Sequence, residues 1–157
     1  MGLLLKNLLF TFVVPGTVAV YLPLSIASDS TPAPGPTRLL AAGALTLGAA
    51  IYAWCVWDFA SFGRGTPAPI DAPKKLVVRG LYRSVRNPMY VGVLCVLLGW
   101  SLLFVSTTLL LYTATVATAF HLFTTLHEEP HLRQEFGDEY VHYCAHVGRW
   151  LPGRPGS

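Results

Sequence analysis

Met89-Tyr90-Val91-Gly92-Val93-Leu94-Cys95-Val96-Leu97-Leu98-Gly99-Trp100 opens a run that continues to residue 126 without one formally charged side chain. The run is thirty-eight residues long. As a single helix it would extend about 57 Å, nearly twice the ~30 Å hydrocarbon core of a bilayer. It therefore folds back on itself, and the turn belongs near Ser106-Thr107-Thr108, the one polar cluster between the two apolar halves.

Two further apolar segments precede the hairpin. Residues 39–57 carry no charge over nineteen positions, with Gly43, Gly48 and several alanines forming a small-residue face suited to close helix packing. Tyr52, Trp54 and Trp57 stand near its far end, where an interfacial aromatic belt belongs. Asp58 follows, and reads as a solvated helix end rather than as a partner for Arg64. Residues 8–24 give seventeen uncharged positions, near the lower limit for a span, with a kink expected at Pro15-Gly16. That length favours a retained span over a signal peptide, and Lys6 stands where a myristoylation signal requires Ser or Thr. Pro32, Pro34 and Pro36 mark the loop between these two segments.

Composition agrees with a membrane protein. The 157 residues are 53% hydrophobic and only 12% charged, against roughly 25% charged in soluble domains. A net charge of +3, with no aromatic-basic RNA motif, gives no support to nucleic-acid binding. Cys55, Cys95 and Cys144 are too scattered for a disulfide framework or a Cys-x-x-Cys pair and read as small packed residues. Arg64, Lys74, Lys75, Arg79, Arg83 and Arg86 crowd the loop between the second and third apolar segments, opposed by Asp71. By the positive-inside rule that loop is cytoplasmic, and with four spans both termini are as well.

Downstream of the hairpin, Leu132, Phe136, Tyr140, Tyr143 and Val147 recur at spacings of three and four. Residues 130–147 thus read as an amphipathic helix on the membrane face or over the cytosolic loop, weakened at Gly137. The fold class expected is an all-α membrane protein with about four transmembrane helices, the last two a hairpin, plus this C-terminal cytosolic helix. The chain forms one domain: residues 1–62 supply two N-terminal spans, and residues 63–157 the hairpin, the C-terminal helix and the chemistry.

Two polar groups flank the hairpin on the same membrane face. Arg86-Asn87-Pro88-Met89-Tyr90 leads into it through an extended turn at Asn87-Pro88, and Glu128-Glu129 follows it directly. Each alone reads equally well as an interfacial anchor or a helix end meeting water. Together they suit a zwitterion, the carboxylates taking an ammonium and Arg86 a carboxylate. His127-Glu128-Glu129-Pro130-His131 also matches the zinc-protease pattern H-E-x-x-H. Pro130 is expected to break the helix that such a site needs, so no metal is assigned. His142 and His146 lack an obvious third ligand and read as a surface face. His121 is either a buried hydrogen-bonded side chain or part of a cofactor pocket.

The ordered set Leu76-Val77-Val78-Arg79-Gly80-Leu81-Tyr82, Arg86-Asn87-Pro88-Met89-Tyr90-Val91-Gly92, Glu128-Glu129-Pro130-His131-Leu132 and Phe136-Gly137-Asp138-Glu139-Tyr140 resembles the integral-membrane methyltransferases. That superfamily includes the isoprenylcysteine carboxyl methyltransferases and the phospholipid methyltransferases. The resemblance implies S-adenosylmethionine as methyl donor on the cytoplasmic side and a lipophilic acceptor arriving from the bilayer. It implies cofactor contacts from Lys74, Lys75, Leu76, Val77, Gly80, Tyr82, Arg86, Asn87, Pro88, Tyr90, Glu128 and Glu129. Arg86 and Glu128 are the expected catalytic pair, and His121 joins the cofactor set. Asn87 occupies a position that is histidine in the isoprenylcysteine enzymes, which brings Asn-Pro-Met-Tyr closer to the phospholipid enzymes. Those isoprenylcysteine enzymes also place an arginine shortly before the acidic pair, where this chain has Thr124 and Thr125. The competing readings are a non-enzymatic membrane partner module of the same fold, and a membrane zinc hydrolase using His127, Glu128 and His131.

Overall fold

A computed structural model describes residues 13–59, 61 and 76–153. Lys74, Lys75, Arg64 and Asp71 lie outside the described residues, as do the beginning of the chain and most of the tail. The described residues are helical, and the one bridge among them pairs Val85 with Gly148 in parallel. The helices are α1 (Val13–Ile26), α2 (Pro36–Asp58), α3 (Pro88–Phe104), α4 (Thr107–Phe123) and α5 (Glu129–His146). A 3₁₀ turn, Gly80–Arg83, precedes α3.

The α1 helix widens into a π-helical turn at Thr17–Tyr21, directly after Pro15-Gly16, where a kink was expected. Donors from the hairpin reach into it: Trp100 Nε1 bonds the Ala19 carbonyl at 2.8 Å and Tyr112 Oη the Val18 carbonyl at 2.9 Å. In an apolar setting such bonds matter, because no water is present to satisfy a backbone group.

The closest packing joins α2 to α3 through glycine. A methyl group added at Gly48 would sit 2.6 Å from the Gly92 carbonyl oxygen, and one at Gly99 would sit 2.7 Å from Leu45. Gly43, expected on the same face, has open space around it. Behind this seam Ala19, Val93 and Leu97 form a buried core. Ser101 and Thr113, both buried, link α3 to α4 with their hydroxyls 3.3 Å apart.

The hairpin turns where the sequence places it. Val105 closes α3 in the left-handed region at φ 45°, and the Ser106 side chain caps α4 by accepting from the Leu109 N–H at 3.3 Å. Two helices are long and apolar enough to cross a membrane, Pro36–Asp58 and the continuous helix Thr107–His146. The other two apolar helices, α1 and α3, are shorter.

Two expectations need correction. Pro130 does not break the helix: Glu129 is helical at φ −62°, ψ −43°, and α4 runs into α5. The reason is a second π-helical turn, Thr124–Glu128, in which the Glu129 N–H reaches the Thr124 carbonyl. The wider turn makes room for the proline ring, which lacks an N–H and crowds an ordinary α-turn. Asp58 is not a solvated helix end either; it is buried at 4% exposure, because the 3₁₀ turn folds across the end of α2.

The apolar stripe of α5 packs as its spacing predicts, with Tyr140, Tyr143 and Val147 buried against Leu76, Leu132 and Phe136. Helical geometry lapses at Gly137 (φ 51°, ψ −126°), a backbone conformation that a side chain disfavours. After α5 the chain comes back to the segment before α3. The Arg86 N–H bonds the Gly148 carbonyl at 2.9 Å, and Asn87 Nδ2 the Arg149 carbonyl at 3.2 Å.

Candidate functional site

The two polar groups that flank the hairpin do come together, but with a different pairing from the one expected. Arg86 meets Glu129: its Nη1 lies 3.1 Å from Glu129 Oε1 and 2.9 Å from Cys144 Sγ. Arg149, which the sequence reading passed over, grips the same carboxylate with both faces of its fork. Its Nε is 2.6 Å from Oε1 and its Nη2 3.0 Å from Oε2. Glu129 is thus a buried acid between two guanidinium groups, the bidentate geometry that suits arginine. Burial works to raise its carboxyl, but the Arg149 hydrogen bonds and the charges of Arg86, Arg149 and Arg133 outweigh it and hold the group below the usual carboxylate range.

Glu128, one residue earlier, faces the other way. The π-helical turn aims its carboxylate at α3, where the Tyr90 hydroxyl donates to Oε1. The Thr124 hydroxyl donates to Oε2 at 3.3 Å. Both donors are neutral, and among the described residues no cationic side chain pairs with Glu128. The uncharged run ends at residue 126, and Glu128 follows it directly. Burial there pushes its carboxyl up, the Tyr90 and Thr124 hydrogen bonds only partly oppose this, and the neighbouring Glu129 charge adds to it.

Aromatic rings wall the Glu128 side. Tyr90 stacks on Phe120 with centroids 4.4 Å apart, and the Trp150 ring stands 6.5 Å from Tyr90. Trp150 Nε1 donates to His121 Nδ1 at 3.2 Å. His121 is therefore hydrogen-bonded as one reading held, but exposed rather than buried, at the rim of this cluster.

The remaining expected site residues lie around the same turn. Tyr82 is buried; its carbonyl accepts from Tyr143 Oη at 2.5 Å, and its ring meets Phe59 edge-on at 5.5 Å. Gly80 opens the 3₁₀ turn at φ 54° beside Asp58 and Trp54. Pro88 is buried at the start of α3, Leu76 packs on the α5 stripe, and Val77 is half-buried nearby in the chain. His127 stacks edge-on against Phe123, and among the described residues no group of three His, Cys, Asp or Glu could hold a metal.

Sequence reasoning missed Arg149, Trp150, Phe120 and Thr124. One signal was available for the first two: a pair of carboxylates had only Arg86 assigned to balance it, and a basic-aromatic pair follows the amphipathic helix directly.

A family model described as phospholipid methyltransferase matches residues 36–139, from the start of α2 into α5. The chain belongs to the phospholipid methyltransferase family. The matched region holds Arg86, Tyr90, Glu128 and Glu129, and it stops short of Arg149 and Trp150. Membership places the chain among methyltransferases of membrane lipids, an enzyme family, and agrees with the apolar helices α2 and α4. No match was found among curated proteins or among solved structures.

Proposed function

We propose that this chain is an S-adenosylmethionine-dependent methyltransferase acting on a lipophilic acceptor at the cytoplasmic face of a membrane. In this reading the whole chain is one domain, α1 to α4 are four spans, and both termini face the cytoplasm. The basic residues between α2 and α3 support that orientation. The isoprenylcysteine branch draws no support from the family match, so the acceptor is read as a membrane lipid.

The observation that carries the reading is Glu128. It is a half-buried carboxylate held by the neutral hydroxyls of Tyr90 and Thr124, with Phe120 and Trp150 packed around the Tyr90 ring, beside a Glu129 already neutralised by two arginines. A negative charge in such a place favours a cationic ligand. S-adenosylmethionine fits that demand, since it carries an ammonium and a sulfonium, and when bound it supplies an electrophilic methyl group. Glu128 then takes the ammonium, the aromatic wall excludes water, and Tyr90 fixes the direction of the carboxylate. Arg86 is anchored by Glu129, which leaves its Nε, buried and without a partner, as the donor available to a ligand carboxylate. Methyl transfer is an in-line displacement, so alignment of the acceptor accounts for much of the acceleration.

The test is calorimetric titration of the detergent-purified protein with S-adenosylmethionine. Glu128→Gln is expected to weaken binding by about tenfold or more, the scale of one lost charge-assisted hydrogen bond. Equal affinity in the two proteins would remove the proposed role of the carboxylate. Incubation of membranes with methyl-labelled S-adenosylmethionine should then place label in the lipid extract, and label absent from lipid would exclude a lipid acceptor.

A further inference from the structure

The contact between Trp150 and His121 fixes a proton as well as a ring. An indole N–H only donates, so the 3.2 Å bond makes His121 Nδ1 the acceptor. In the neutral ring the proton then sits on Nε2. His121 is exposed, and among the described residues no partner meets its Nε2. The ring therefore holds out one oriented N–H donor to whatever lies against this face of the helix.

The neighbouring side chains indicate what that is. Leu122, Phe123 and Leu126 follow on the same continuous helix and are exposed, a surface that the membrane reading gives to lipid. The level along the helix is that of a headgroup rather than of an acyl tail. Phe120 stacks on Tyr90, the third residue of α3, and Trp150 comes directly after Arg149. At that level a bilayer presents its polar headgroups. An unpaired donor beside apolar side chains is costly, and a phosphodiester oxygen would satisfy it through a charge-assisted hydrogen bond.

His121 is also joined to the Glu128 site by contacts. It bonds Trp150, whose ring stands 6.5 Å from Tyr90, and Tyr90 donates to Glu128. His121 and Glu128 lie on one helix, about 10 Å apart by helical rise. A headgroup held at His121 by its phosphodiester has its amine free to reach toward Tyr90 and Glu128.

We propose that His121, oriented by Trp150, recognises the phosphodiester of the acceptor lipid. The assignment rests on the methyltransferase reading for the acceptor, and it gives His121 to the acceptor rather than to the methyl donor. Two amphiphiles with the same chain and a primary amine test it: dodecylphosphoethanolamine, which carries a phosphodiester, and dodecylamine, which does not. Each is titrated calorimetrically into protein in a nonionic detergent. His121→Phe keeps a flat ring and loses the N–H. It should weaken the phosphodiester probe about tenfold, the scale of one charge-assisted hydrogen bond, and dodecylamine by less than about twofold. His121→Gln, whose amide N–H can stand in for Nε2, should recover most of that loss. Trp150→Phe frees the histidine to take either tautomer, so it should weaken the phosphodiester probe by a smaller factor, about threefold. A His121→Phe protein that weakens both probes alike, or neither, overturns the proposal. So does a His121→Gln protein that binds no better than His121→Phe. Loss of S-adenosylmethionine binding in a folded His121→Phe protein overturns it as well, by assigning the ring to the methyl donor. If recognition of the phosphodiester depends on His121 but wild type binds no S-adenosylmethionine, the methyltransferase reading fails and the lipid site stands.

Discussion

Glu128 and Glu129 are neighbours in the chain and opposites in their surroundings. Glu129 is locked among Arg86, Arg149 and Cys144, with its charge balanced and its oxygens occupied. Glu128 has two neutral donors, one of them a tyrosine stacked on Phe120, and no cation among the described residues. A π-helical turn separates their directions; without the extra residue in that turn they would not split so cleanly between α3 and the C-terminal return. The contrast teaches that an acidic pair in sequence need not be a functional pair. One member is neutralised inside the fold, and the other is the one that the proposed function gives to a ligand.

The sharpest way to break this division is to neutralise Glu129. Glu129→Gln leaves two guanidinium groups facing each other, with Arg86 buried at 8% exposure. Removing one partner from a buried ion pair costs on the order of 3 kcal/mol. The thermal midpoint in detergent should fall by several degrees, whereas Glu128→Gln should leave it unchanged or raise it, because that substitution removes an uncompensated charge. If both substitutions lower the midpoint equally, the two carboxylates are not different in kind.

The uneven legibility of the sequence follows the same line. The hairpin was readable because thirty-eight uncharged residues are too long for a single crossing, and the polar Ser106 gives the turn its cap. The α5 stripe was readable from its period, and its residues pack as that period requires. Arg86 and the acidic pair were expected to meet and do so through Glu129, but which carboxylate Arg86 would choose was not written in the spacing. That choice depends on the π-helical turn, a one-residue change in winding that leaves no trace in a hydrophobic pattern. Pro130 misled for the same reason, since the rule that it breaks a helix assumes ordinary α-winding. Asp58 misled because its burial is due to a turn twenty-two residues later, Gly80–Arg83, and local polarity carries no record of that contact.

A smaller effect sharpens the picture of Glu129. Arg149→Lys keeps the charge but loses the two-pronged contact of Nε and Nη2. The expected cost is about 1 kcal/mol, read as a modest fall in the thermal midpoint. The Glu129 carboxyl, held below its ordinary range, contributes stability that is present above the unfolded value of about 4.3. That stability is lost as pH falls through the lower folded value. In wild type the midpoint should therefore hold through mild acid and decline only below that range. In the lysine variant the decline should start near the same unfolded value but be smaller and end at higher pH, and an unchanged acid limb would show that Arg149 is not what holds the carboxyl down.

The smallest effect tests how Glu128 is kept ready. Its folded carboxyl titrates above the ordinary value, and the Tyr90 hydroxyl opposes that rise. Only the ionised form attracts an ammonium, so affinity for S-adenosylmethionine should be present above the raised value and fall as pH drops through it. Tyr90→Phe keeps the ring stacked on Phe120 and removes only the donor. The carboxyl should rise further, so the acid limb of binding should move to higher pH, with affinity near neutrality lowered roughly threefold. Glu128→Gln should show no such limb at all, while Glu129 keeps its own acid limb in thermal melts of each variant. An acid limb that stays in place in Tyr90→Phe would mean that the hydroxyl does not govern the charge on Glu128, and the contrast between the two carboxylates would then rest on burial and the arginines alone.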